Sequence, residues 1–177
     1  MKILKMILFA VIVLVVAILG YAATRPGTLH VQRSASVKAS PDKIFPLIND
    51  FHSWSAWSPY EKRDPAMKRT YSGAPKGDGA VYEWEGNSNV GQGRMEITSA
   101  TPSSNVTIKL DFVKPLEGHD TAVFTLEPKG DTTDVTWSMD GPTPYIGKVM
   151  GIFLNMDDMI GSDFAAGLAN LKNIAEK

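Results

Sequence analysis

An unbroken apolar run, Met6 to Ala23 (MILFAVIVLVVAILGYAA), opens the chain with only Lys2 and Lys5 ahead of it. A run of this kind satisfies its backbone most simply as a helix in lipid. At ~1.5 Å per residue it covers roughly 27 Å, close to the ~30 Å hydrocarbon core of a bilayer. Ile3 and Leu4 lengthen the span if Lys5 bends its ammonium back to the headgroups, so the expected membrane contact is residues 3–23. The rival reading is a secretory signal peptide, with Gly20-Tyr21-Ala22 placing small residues where a signal peptidase cleaves. The run is longer than most signal cores, which favours an uncleaved anchor over residues 1–24. Lys2, Lys5 and the terminal amine hold the N-terminus in the cytoplasm. The expected place is a bacterial inner membrane, crossed once, with the body periplasmic or otherwise extracytoplasmic.

The body, residues 28–177, is long enough for one domain with a real core. Its link to the anchor, Thr24-Arg25-Pro26-Gly27, is short, so the body sits against the membrane surface. There is no cysteine, hence no disulfide, thiol nucleophile or thiolate metal site. Setting aside Lys2, Lys5 and Arg25, 15 of the 18 basic residues remain against 19 acidic ones, a net of about −4. A mildly acidic body without a basic cluster argues against nucleic acid. His30, His52 and His119 are far apart and form no metal-ligand pair. Neither a nucleophile elbow nor a phosphate loop is present, and no cofactor is expected.

Alternation predicts a strand over Thr28–Ala39, with Val31, Arg33, Ala35 and Val37 on one face. Ser40-Pro41-Asp42 starts a helix that ends near Asn49-Asp50. A short helical connector carries Trp54 and Trp57, and a charged loop runs from Glu61 to Met67. Six more strands are expected near Lys68–Ser72, Ala80–Glu85, Val90–Ala100, Val106–Val113, Thr121–Glu127 and Asp134–Met139. Turns rich in Gly, Asn, Pro and Asp separate them, which suggests an antiparallel meander. The tail then changes to helical spacing, with Thr143 as cap and Pro144 at the first position. It reads as one long helix, bent near Asn155. The class is α+β, and such a helix laid over a curved sheet leaves a groove or cavity between them.

This order of elements resembles the helix-grip fold of the START-like (SRPBCC) superfamily, nearest to its polyketide cyclase/dehydrase-like branch. The resembling residues are Arg33 to Pro41, Ile44-Phe45, Ile48-Asn49-Asp50, the tryptophan-rich Trp54 to Pro59, Gly79 to Asn87, and Val90 to Gly93. In the tail they are Met156 to Met159, Gly161, Asp163-Phe164, Gly167-Leu168 and Leu171-Lys172. The resemblance covers about residues 28–177. It implies a fold that hosts binders and enzymes alike, so activity has to be read from the site.

Alternation sets which side chains face the helix. Tyr82 and Trp84 share a face, as do Met95 and Ile97, Phe112 with Ile108 and Leu110, Phe124 with Leu126, and Trp137 with Met139 and Val135. Met156, Met159 and Phe164 meet them from the tail. One reading is an apolar cavity for a lipid-like or polycyclic ligand; the other is that these residues fill an ordinary core. Trp54 and Trp57 form the pocket mouth, sit at the membrane interface, or plug the core under the connector. Tyr145 to Leu154, charged only at Lys148, reads as a lid, and the glycines of the tail as hinges or as close-packing positions. Asp163 and Tyr82 are the acid–base candidates; a carboxylate at 163 facing the cavity would have a raised pKa, although such residues more often pair or face solvent.

The leading expectation is therefore a membrane-tethered binding domain for a small hydrophobic ligand. The alternatives are a cyclase- or dehydratase-like enzyme using Asp163 or Tyr82, and a non-binding interaction module acting through Trp54 and Trp57.

Overall fold

The computed structural model describes residues 2–177. Helix α1 (Lys2–Thr24) leads into β1 (Thr28–Val37), then α2 (Pro41–Asn49), a 3-10 turn (Phe51–Ser53), α3 (Trp54–Trp57) and α4 (Tyr60–Arg63). Six strands follow: β2 (Lys68–Gly73), β3 (Ala80–Glu85), β4 (Gln92–Thr101), β5 (Asn105–Lys114), β6 (Gly118–Lys129) and β7 (Thr132–Pro142). Two helices close the chain, α5 (Tyr145–Phe153) and α6 (Met156–Ala175). All strands join one antiparallel sheet in the order β1-β7-β6-β5-β4-β3-β2. The helical segment α2–α4 carries the chain from one edge of the sheet to the other. α6 then lies over β1 and β7 and touches α2 and α3, giving the α+β helix-grip fold.

Alternation produces this arrangement. In β7, Thr133, Val135, Trp137 and Met139 are buried while the residues between them are partly exposed. In β1, Val31 and Val37 are buried, with Arg33 and Ala35 half-buried on the same face. Along α6, Phe164, Leu168, Leu171 and Ala175 recur every three or four residues and are buried. Gly161 and Gly167 share that face. A Cβ on Gly167 would lie 2.9 Å from the Trp137 ring and 3.2 Å from Pro59, so it is a close-packing position rather than a hinge.

The tail departs from one long helix. Leu154 is extended (φ −121, ψ 132) and separates α5 from α6. Asn155 caps α6: its side-chain oxygen accepts from the Asp158 N–H, and its amide donates to the Asp158 carboxylate at 2.6 Å. The cap of α5 is Pro144 and not Thr143, one residue later than expected. Ser40 occupies the cap position of α2 without a side-chain hydrogen bond, leaving the preset φ of Pro41 to start that helix.

Candidate functional site

The side chains expected to surround a cavity meet one another. Trp137 stacks on Phe164 at 4.0 Å between ring centres and on Phe124 at 4.8 Å. Trp54 and Trp57 pack at 4.8 Å, and both contact Phe124 and Trp137 edge-on. Both are buried under the connector, with their indole N–H groups donating to the carbonyls of Ile48 and Leu47. They therefore plug the core and offer no surface to a partner or a membrane. Tyr82 and Trp84 stack, and Trp84 meets Phe112 edge-on. Met139 is buried, and Met95 and Phe112 are partly buried against the same core. Met159, expected on the cavity wall, is instead about half exposed: it lies off the Ile160–Phe164 face that α6 turns to the sheet.

One polar atom in this core stands out. The Trp137 Nε1–H is buried with no hydrogen-bond partner, a state that costs ~1–3 kcal/mol in general. Its neighbours Trp54 and Trp57 are both satisfied, so the aromatic layer is fully paired except at the ring touching α6.

The two acid–base candidates are each engaged by a residue that sequence reasoning missed. Tyr82 donates its hydroxyl to Glu61 at 2.6 Å, and Glu61 also accepts from Arg69 at 2.7 Å. Glu61 belongs to the segment read as a charged loop, yet its side chain is only 8% exposed. Burial first, and the Glu61 carboxylate second, push Tyr82 ionisation well above the usual phenol range. Tyr82 is a held proton donor. Asp163 accepts from Arg63 at 2.5 Å and is 15% exposed, so it faces an ion pair on the α4 side rather than an apolar cavity.

A second clamp fixes the start of α6. Arg33, from the inner face of β1, bonds both carboxylate oxygens and the carbonyl of Asp157. Its guanidinium crosses α6 where Gly161 lacks a side chain; a Cβ there would strike it. The Arg33 hydrogen bond holds the Asp157 carboxyl below its ordinary range. A depressed native value means the contribution is present at neutral pH and is lost as pH falls below about 4. Urea unfolding across pH checks this: Asp157→Asn is less stable than the native chain at pH 7, and the gap closes under acid conditions.

Two open concavities lie elsewhere. A small one of ≈ 220 Å³ lies beside the His52–Tyr71 stack, lined by Phe51, Ala74, Pro75 and Val81 among others. The larger, ≈ 550 Å³, runs between the linker, the start of β1, α5 and the start of α6. Leu29, Ile152, Phe153, Leu154 and Met156 give it an apolar wall, and Arg25, Lys148 and Asp157 border it. Met156 alone of the expected lining set reaches this groove. Its walls come from residues 25–29 and 143–157, which no local pattern joins.

A family model described as polyketide cyclase / dehydrase and lipid transport matches residues 28–176. The chain belongs to that family. Solved structures agree on the fold. Protein CV1439 from Chromobacterium violaceum superposes with a TM-score of 0.60 at 14% identity, covering 86% of this chain and 99% of that one. The Aha1 dimer from Colwellia psychrerythraea gives 0.59 at 16% identity, with 84% and 96% covered. The di-domain ARO/CYC StfQ from the steffimycin biosynthetic pathway gives 0.63 at 12% identity, covering 84% of this chain and 51% of StfQ. At these identities the likeness is one of fold. No curated protein sequence matches the chain.

Proposed function

We propose that this protein is a membrane-tethered binding domain that holds a small hydrophobic molecule, lipid-like or polycyclic, on the outer side of a bacterial inner membrane. The observation that carries this reading is the ≈ 550 Å³ groove at the foot of the domain, apolar along one wall and beside the end of α1. Its volume falls within the ~300–1,000 Å³ typical of small-molecule sites. Arg25 and Lys148 offer two cations to an anionic headgroup or carboxylate, while Leu29, Ile152, Leu154 and Met156 offer apolar contact. The family's description, which includes lipid transport, supports the ligand class. α1 supports the tether, being long and apolar enough for a membrane span or a signal sequence. The interior aromatics Trp54, Trp57, Phe124, Trp137 and Phe164 then act as the frame that locks β7 to α6, whose first turn borders the groove.

A photoreactive fatty acid added to the reconstituted full chain tests the site. Saturable adducts on Leu29 and Met156, reduced several-fold by the groove-filling Ile152→Trp, are expected. Adducts that do not saturate, or that Ile152→Trp leaves unchanged, would remove the groove as the binding site.

A further inference from the structure

Helix α5 has the composition of a core helix and the exposure of a surface one. None of its nine residues is buried, and Lys148 is its only charge. Tyr145, Ile146 and Phe153 are about half exposed or more, as is Leu154 just beyond. An exposed apolar stretch of this size marks an interaction surface.

Its position says what covers it. The Tyr145 hydroxyl donates to the Leu19 carbonyl at 2.6 Å, and the Arg25 guanidinium donates to the Gly151 carbonyl at 3.3 Å. α5 is thus pinned near its start to Leu19 of α1 and near its end to Arg25 of the linker, just past the apolar run. Ala22 is the one buried residue of α1, and Ile18, a turn earlier, is half-buried. Leu19 lies four residues before Ala23, where the apolar run ends. At ~1.5 Å per residue, Tyr145 meets α1 about 6 Å inside the end of that run. Amphipathic helices that lie in a membrane surface sit ~5–10 Å deep, at the boundary of headgroups and acyl chains. Tyr145 suits that boundary, and Lys148 and Arg25 can extend their charges to the phosphates.

We propose that α5 is a second membrane element, an interfacial helix whose Tyr145 and Ile146 enter the leaflet from which α1 emerges while Phe153 and Leu154 rest at its headgroup level. The inference rests on reading α1 as an uncleaved span. It fixes the domain at two places, so the body does not swivel on its short linker. It also sets the mouth of the α5 groove at the lipid surface, letting a hydrophobic molecule pass between leaflet and groove without crossing water.

The chain has no cysteine, so each single replacement yields one thiol. Bimane is attached to full-length Val13→Cys, Phe153→Cys and Asn173→Cys in vesicles of phosphatidylethanolamine and phosphatidylglycerol. Nitroxide-bearing lipids then serve as quenchers. Asn173 is an exposed control, 17 residues along α6 from Met156 and therefore about 25 Å away. The expected result is strong quenching of Val13 by a deep nitroxide, and of Phe153 by a shallow one at several times the Asn173 level. Phe153 behaving like Asn173, with Val13 still quenched, overturns the interfacial helix and leaves the span intact. Phe153 shielded from aqueous iodide but not quenched by lipid would mean a protein covers α5, and also overturns it. An unquenched Val13 removes the span and the inference together.

Discussion

Replacing Phe164 by alanine is expected to cost about 3–5 kcal/mol of folding stability. Phe164 is 2% exposed and lies nearly parallel to Trp137, with an 8° angle between the rings. It is the point at which α6 is keyed to β7. The cavity left behind is walled by the Trp137 ring, which Phe124, Trp54 and Trp57 hold in place so that it cannot collapse into the space. Chemical unfolding of Phe164→Ala followed by tryptophan fluorescence reads the loss. A cost under ~1 kcal/mol would mean that α6 is held elsewhere, for instance by Arg33–Asp157.

Gly93→Ala is expected to destabilise by about 2–3 kcal/mol although it adds a single methyl group. Gly93 on β4 faces Trp84 on β3 in the register, and the indole lies directly over the glycine. An added Cβ would collide with the Trp84 ring and would sit 2.7 Å from the Asp111 carbonyl of β5. The ring has little freedom to yield, because its N–H donates to the Val90 carbonyl at 2.9 Å and its edge meets Phe112. Combining Gly93→Ala with Trp84→Leu should recover much of the loss, since the double variant removes the ring that the methyl group meets. Additive costs in that pair would show that the backbone of β5 is the real obstruction.

Much of the fold was legible because it rests on alternation and punctuation. Val135, Trp137 and Met139 announce the buried face of β7, and Pro41 announces α2. The break at Leu154–Asn155 was legible only as a bend near Asn155: Met150 to Ile160 keeps an apolar spacing that runs on through it, and leucine is a good helix former. At the break a local cap, Asn155, meets tertiary contacts: Tyr145 and Arg25 tie α5 to α1 and the linker, while Asp157 ties α6 to β1.

The candidate site was legible in part. Tyr82 and Asp163 were identified as notable residues, but their partners Glu61 and Arg63 looked like ordinary loop charges. A glutamate buried by an Arg eight residues on and a Tyr on a later strand carries no local signature. Trp54 and Trp57 allowed three placements at equal spacing, and only the carbonyls of Leu47 and Ile48 turn them inward. The groove escaped for a related reason, because it forms where the linker meets a helix over a hundred residues later.

The tether and the ligand are tested together by native mass spectrometry of the full-length chain, released from cell membranes in mild detergent. The account predicts an intact chain, uncut after Ala22, carrying a single small hydrophobic adduct that Ile152→Trp diminishes. An intact chain that is always bare, even with lipid-like molecules in excess, would contradict binding. A chain lacking its first 22 residues would contradict the tether and leave a freely diffusing carrier in its place.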